Sequence, residues 1–346
     1  MSPAPLRIGI VGAGANTRER HIPGLRACPG VELAAVVNRS RESSAQAARA
    51  LGIPRTAAGW RELVEAPDID AICIGTWPYL HAEVTIAALA AGKHVLTEAR
   101  MAMNTAEAEA MQAALVAAQR RDPGLVAQIV PSPFTLPYDR TVRELLAAGT
   151  LGPLRAVTLA HLHGGLANPA APITWRQRAD LSGVNTLTLG IYYEVLLRWL
   201  GEDVTVDSAR AETLTPTRPD AAVRMTPVTV PDRVSIAGRL PAGARFTAEF
   251  SGVETVAPRN EIILDGERAR LRLDLASSAL WLRPAGGVEQ RVVIPPEKQA
   301  QWRVEADFVD SIRTGAPVRL TDFATGVRYM RFTEAAWRAW QPGPRG

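Results

Sequence analysis

Residues Leu6 to Asn38 read LRIGIVGAGANTRERHIPGLRACPGVELAAVVN, and no other stretch restricts the fold as tightly. Branched apolar residues (Ile8, Ile10, Val11) run into Gly12-Ala13-Gly14-Ala15-Asn16-Thr17. A helix-compatible segment follows, and a second apolar run spans Val31 to Val37. Strand, glycine turn, helix and strand in about thirty residues make a βαβ unit of the dinucleotide-binding kind. Gly12 allows the tight turn, and Gly14 lets backbone N–H groups approach a pyrophosphate at a helix N-terminus. The third glycine of that fingerprint is Thr17 here. The expectation is a dinucleotide site whose phosphate turn is Gly12, Gly14, Ala15, Asn16 and Thr17. The plain alternative is a structural strand-turn-helix.

The end of the second strand bears on which dinucleotide. An acid there accepts from the ribose 2′-hydroxyl and repels a 2′-phosphate, but this chain has Asn38-Arg39-Ser40. Two polar side chains and a guanidinium favour NADP, with NAD as the alternative. The buried-strand pattern Ala71 to Gly75 ends in Thr76-Trp77, at a strand end where ligands gather in open α/β sheets. His81 opens the following helix. Another short strand ends at Thr97, with Glu98-Ala99-Arg100 beyond it.

Composition excludes several classes. The net charge of +4 is spread along the chain with acids beside the bases, as in Arg41-Glu42 and Arg61-Glu62. That argues against a nucleic-acid stripe. No apolar run approaches the ~20 residues of a membrane span. MSPAPLR leads directly into the first strand, so no signal peptide is expected. Cys28 and Cys73 are the only cysteines, and the expected location is the reducing cytoplasm. Lys93 and Lys298 are the only lysines.

From Pro131 the texture changes. Alternating runs at Leu154 to His163, Val234 to Leu240, Ala244 to Phe250, Glu261 to Leu264, Ala269 to Leu273 and Leu280 to Leu282 predict strands. Helices are expected over Asn185 to Leu200, Val304 to Thr314 and Phe323 to Trp340. The expected fold class is α/β for residues 1–130 joined to α+β for residues 131–346. The second half is built on a large, mostly antiparallel sheet.

These residues together resemble the Gfo/Idh/MocA family of NAD(P)-dependent oxidoreductases. The landmarks are the Gly12/Gly14 turn with His21-Ile22-Pro23, then Ala91-Gly92-Lys93-His94, Glu98 and Gly149-Thr150-Leu151-Gly152. Trp175-Arg176, Gly183, Gly190 and the Phe308 to Pro317 stretch complete them. The resemblance implies an N-terminal Rossmann domain holding a nicotinamide cofactor, with Thr76, Trp77, His81, Glu98 and Ala99 near it. It also implies a C-terminal domain that handles substrate and assembles a homodimer or homotetramer. The substrate it implies is a sugar, polyol or related hydroxy-carbonyl compound. The family's usual Glu-Lys-Pro reads Glu98-Ala99-Arg100 here, so the lysine that assists proton transfer is missing. The family's Asp-x-Gly-x-His reads Thr188-Leu189-Gly190-Ile191-Tyr192.

A non-standard proton relay is therefore expected. Tyr192 is the first candidate for the proton, provided a cation such as Arg176 or Arg100 lowers its pKa. His161 and His163 alternate along a strand and face one side; His163, beside Gly164-Gly165, is the better site candidate. Arg176 is placed to bind a carboxylate or sugar hydroxyls. No metal site is expected, because the histidines lack companion ligands. The leading expectation is hydride transfer to or from a carbohydrate-like substrate. The alternatives are a cofactor-assisted lyase or glycosidase without net redox, and a non-catalytic NAD(P)-binding regulator.

Overall fold

The computed structural model describes residues 4–341, which form two compact units. The first comprises residues 4–131 with Arg303–Val327, and the second Ser132–Trp302 with residues 328–341. The expected division at residues 130 and 131 differs from these units in one respect: Arg303–Val327, with the helix Val304–Thr314, groups with the first unit and not with the second.

The first unit is a six-stranded parallel sheet: β1 (Leu6–Val11), β2 (Val31–Val37), β3 (Arg55–Thr56), β4 (Ala71–Ile74), β5 (His94–Thr97) and β6 (Ala127–Ile129). The spatial order is β3-β2-β1-β4-β5-β6, which reverses between β1 and β4. The central strands are apolar throughout because helices cover both faces: Ile8, Ile10 and every residue of β4 are buried. Polar caps fix where helices begin. Ser40 accepts from the Ser43 N–H at the start of Arg41–Leu51, and the Asn104 side chain accepts from the Glu107 N–H at 2.9 Å before Thr105–Gln119. Gly52, at φ +60°, ends the first of these helices. The Gln128 amide donates to Val304 O at 3.0 Å, tying Val304–Thr314 to the β6 end of the sheet.

The second unit carries β7 (Leu154–Leu162), β8 (Thr205–Glu212), β9 (Thr217–Pro219), β10 (Met225–Pro227), β11 (Arg233–Arg239) and β12 (Arg245–Ser251). β13 (Arg259–Gly266), β14 (Ala269–Asp274), β15 (Ala279–Pro284) and β16 (Gln290–Arg291) follow. Eight of these form one sheet in the order β16-β15-β14-β13-β7-β12-β11-β8, with β9 and β10 a separate hairpin. β7 and β12 run parallel and every other pair is antiparallel. β11 alternates strictly between exposed and buried positions, and β12 does so as far as Phe250, so one face of the sheet is covered. Helix Leu189–Leu200 supplies part of that cover. Tyr193 stacks on Phe332 with centroids 3.7 Å apart, and Phe332 meets Phe246 edge-on at 5.6 Å.

The helix expected over Asn185 to Leu200 begins only at Leu189. Leu187 takes a positive φ of 49°, and the Asn185 amide donates to Ser182 O at 2.6 Å. The segment before Thr188 is therefore held as a turn. Among the described residues, no helix is long and apolar enough to cross a membrane.

Candidate cofactor site and side-chain cluster

The phosphate turn follows β1 directly. Gly12 has φ +88°, and a Cβ there would lie 2.7 Å from Thr76 Cγ2 and 2.9 Å from the Gly75 carbonyl carbon. Only glycine fits. Thr17, at the third-glycine position, is buried and donates its hydroxyl to Gly12 O at 3.1 Å. Its side chain fills the space that a Cβ on Gly75 would need, so the close approach of helix to strand is transferred to Gly75. Gly14 and Ala15 are exposed, and no group among the described residues takes their N–H. Two open donors at the head of the helical segment Thr17–Ala27 suit an anion.

A cavity of about 570 Å³ opens over this turn, walled by Asn38, Arg39, Trp60, Thr76, Trp77 and Tyr79 among others. Asn38 is partly committed to the scaffold. Its side-chain oxygen accepts from the Ala13 N–H at 2.8 Å, and its amide nitrogen donates to Ser43 O at 3.1 Å. Ser40 caps the next helix through Ser43. Arg39 is exposed at the cavity rim. His81 stands behind the cavity rather than in its wall. It is completely buried, with its ring nitrogens 2.9 Å from Arg100 O and 3.0 Å from Thr76 O, and burial lowers its pKa. Its role there is to brace the Thr76 turn. Trp60 and Tyr79, which sequence reasoning did not single out, line the cavity with Trp77.

Glu98 sits just past β5 in a buried ion network. Asn16 donates its amide to Glu98 Oε1, and His21 Nε2 lies 2.9 Å from that oxygen. On the other side of the ring, His21 Nδ1 lies 2.6 Å from Glu305 Oε1. Burial opposes charge on His21, but the hydrogen bonds it donates to Glu305 and Glu98 outweigh it and raise the pKa to about 9. Burial pushes Glu98 the other way, yet its bonds to His21 and Asn16 leave its pKa lowered. The ring is therefore an imidazolium between carboxylates. Ala99 follows Glu98 and is partly exposed, while Arg100 is buried.

The second unit groups the other candidates. The rings of His161 and His163 lie 4.7 Å apart on one side of the chain, although β7 ends at Leu162 and His163 stands just past it. His161 stacks on Tyr192 at 5.2 Å, and Tyr192 also touches Phe134 at 5.7 Å and Phe250 at 5.5 Å. The Tyr192 hydroxyl donates to Asn260 Oδ1 at 2.5 Å. Burial raises its pKa well above the ordinary phenol value, so it is held protonated. Burial and the adjacent His163 depress His161 to about 4, and His161 Nδ1 lies 2.7 Å from the Thr188 hydroxyl. His163 Nδ1 accepts from the Gly165 N–H at 3.0 Å, which puts the proton of the neutral ring on Nε2. Arg176 is exposed, its guanidinium 4.3 Å above the Trp175 ring.

Sequence reasoning missed Glu305 because it lies 284 residues from His21. His21 itself was legible only as a family landmark. Asn260 gave no signal at all. Both lysines are accounted for: Lys93 donates to Ala66 O and Ile69 O, and Lys298 pairs with Glu144 at 2.7 Å. Among the described residues no cluster of His, Cys, Asp or Glu is grouped for a metal.

Residues 6–121 match the model of the oxidoreductase family GFO_IDH_MocA, NAD-binding Rossmann fold, and residues 140–272 match the GFO/IDH/MocA C-terminal domain. The dTDP-3,4-didehydro-2,6-dideoxy-alpha-D-glucose 3-reductase of Streptomyces antibioticus is 31% identical over 343 residues, covering 96% of each chain. Levoglucosan dehydrogenase of Pseudarthrobacter phenanthrenivorans is 27% identical, over 53% of this chain and 46% of that enzyme. The crystal structure of an oxidoreductase domain protein from Kribbella flavida superposes with a TM-score of 0.85 at 27% identity, covering 97% of both chains. The two-sheet architecture, the glycine turn and a full-length relative agree: this chain belongs to the Gfo/Idh/MocA family and is an oxidoreductase with a nicotinamide-cofactor Rossmann domain.

Proposed function

We propose that the protein transfers hydride between NADP and a carbohydrate-like hydroxy-carbonyl compound. The observation that carries this reading is the cradle in the first unit. Open N–H donors at Gly14 and Ala15 stand at a helix head, and a guanidinium in place of an acid follows β2. The names of the two curated relatives, a deoxysugar 3-reductase and a levoglucosan dehydrogenase, support a sugar-like substrate. NADP is favoured over NAD because Arg39 brings positive charge to the position where an acid would repel a 2′-phosphate. Asn38 contributes less than its sequence position promises, since its side-chain oxygen and one N–H already serve Ala13 and Ser43.

The nicotinamide supplies the hydride acceptor or donor when bound. Tyr192, held protonated by burial, is unsuited to act as a base; in the reduction direction its O–H, turned from Asn260, gives its proton to the carbonyl oxygen that receives the hydride and is re-protonated from solvent. His163 offers its Nε2–H to substrate oxygen, and exposed Arg176 clamps a hydroxyl or carboxylate. No lysine takes part, because Lys93 and Lys298 are bound elsewhere. The protein is proposed to be cytoplasmic and to assemble as a homodimer or homotetramer.

Titration of the purified protein with NADPH and NADH, followed by a screen of sugars and polyols, tests the reading. Tighter NADPH binding with one-to-one oxidation of cofactor is expected. Clearly tighter NADH binding would refute the role of Arg39. Turnover of a glycoside with no net change in cofactor would replace net redox with the lyase or glycosidase alternative. Cofactor binding with no turnover of any kind would make the protein a regulator.

A further inference from the structure

The sheet order reverses between β1 and β4, and a dinucleotide in an open parallel sheet lies across such a point. With the pyrophosphate at Gly12 to Ala15 and the adenosine half toward the end of β2, the nicotinamide half extends over the ends of β4 and β5. Glu98 stands at that end of β5. Both of its described hydrogen bonds, from Asn16 and His21, fall on Oε1. Its side chain keeps 15% of its exposure, whereas those of His21 and Glu305 keep 1% and 3%. One carboxylate oxygen is anchored and the other is available to a ligand.

The anchor is built from distant parts of the chain. Asn16 and His21 come from the segment after β1, and Glu305 from the first turn of Val304–Thr314. A Cβ on Gly24 would lie 2.5 Å from Glu305 Oε2, so glycine at that helical position is what lets the carboxylate reach His21. Charge-assisted bonds at both ring nitrogens fix the imidazolium plane, and the plane fixes Oε1 of Glu98.

We propose that His21 and Glu305 are positioning residues: they hold Glu98 so that its second oxygen accepts the carboxamide N–H of the nicotinamide. This rests on the cofactor reading above, and the experiment separates the two. Binding of NADPH and NADH is measured by calorimetry beside two probes of the adenosine half, adenosine 2′,5′-bisphosphate and ADP. In Glu305→Gln and His21→Gln the intact dinucleotide should bind roughly tenfold more weakly, while the adenosine-half probes stay within about twofold. Glu305→Asp, which keeps the charge, should recover most of the loss. Retained binding of the adenosine-half probes also reports that the first unit is folded. Equal weakening of probe and dinucleotide, or no weakening in either variant, overturns the positioning role. If the unsubstituted protein bound neither dinucleotide nor probe, the cofactor reading itself would fall and take this inference with it.

Discussion

Gly12, Arg39 and Tyr192 each occupy a position whose chemistry a single substitution tests. At φ +88°, with backbone and Thr76 within 3 Å of any Cβ, Gly12→Ala meets both strain and collision. The backbone alone costs roughly 1–2 kcal/mol. We expect a lower melting temperature and cofactor binding weakened at least tenfold, read by calorimetry. Arg39→Ala should weaken NADPH more than NADH, by about tenfold in the ratio of their dissociation constants, since a guanidinium–phosphate pair is lost for only one of them. Tyr192→Phe keeps the ring contacts with His161, Phe134 and Phe250 but leaves Asn260 Oδ1 without its donor. The stability cost should be about 1 kcal/mol, whereas turnover should fall at least tenfold. Unchanged turnover would remove Tyr192 from proton transfer.

At the scale of elements, the joints between segments set the pH dependence. His21 has a folded-state pKa raised to about 9, against an ordinary value near 6.5. A raised pKa means the folded state binds the extra proton, so this stabilisation is complete below about pH 6.5 and is lost as pH rises through about 9. Its size is about 3 kcal/mol. His161, depressed to about 4, has the opposite sign: its neutral form is favoured in the fold, and stability declines as pH falls from about 6.5 toward 4. Melting temperature against pH should form a dome, and His21→Gln should flatten its alkaline side. Much of this was legible one element at a time. The limits of Val304–Thr314 and the alternation of β11 and β12 are local patterns, and local patterns survive in sequence. The His21–Glu305 pair was not legible, because two buried charges from opposite ends of the chain leave no spacing to read. Nor was the late start of Leu189–Leu200, where Leu187 adopts a left-handed backbone that no composition signals. Asn260 reaches Tyr192 only because β13 pairs with β7 in one register, which sets Asn260 opposite His161.

For the molecule as a whole, a ligand that binds only the folded chain should raise its stability by mass action. NADPH at a hundred times its dissociation constant should add about 2.7 kcal/mol, seen as a rise in melting temperature that grows with concentration. Sedimentation should give a dimer or tetramer, and a monomer at micromolar concentration would remove the proposed assembly. The turn after β1 has a consequence for descent. Gly12 and Gly75 each occupy the space where the other's neighbourhood would receive a methyl group: a Cβ on Gly75 would lie 2.4 Å from Gly12 O and 1.9 Å from Thr17 Oγ1. Each glycine is required by backbone and threonine atoms of the other turn, so changing both adds the collisions rather than relieving them. What looks in sequence like a short signature with one glycine missing is sterically one unit spread over two strand ends, and related chains with threonine at position 17 should keep glycine at position 75.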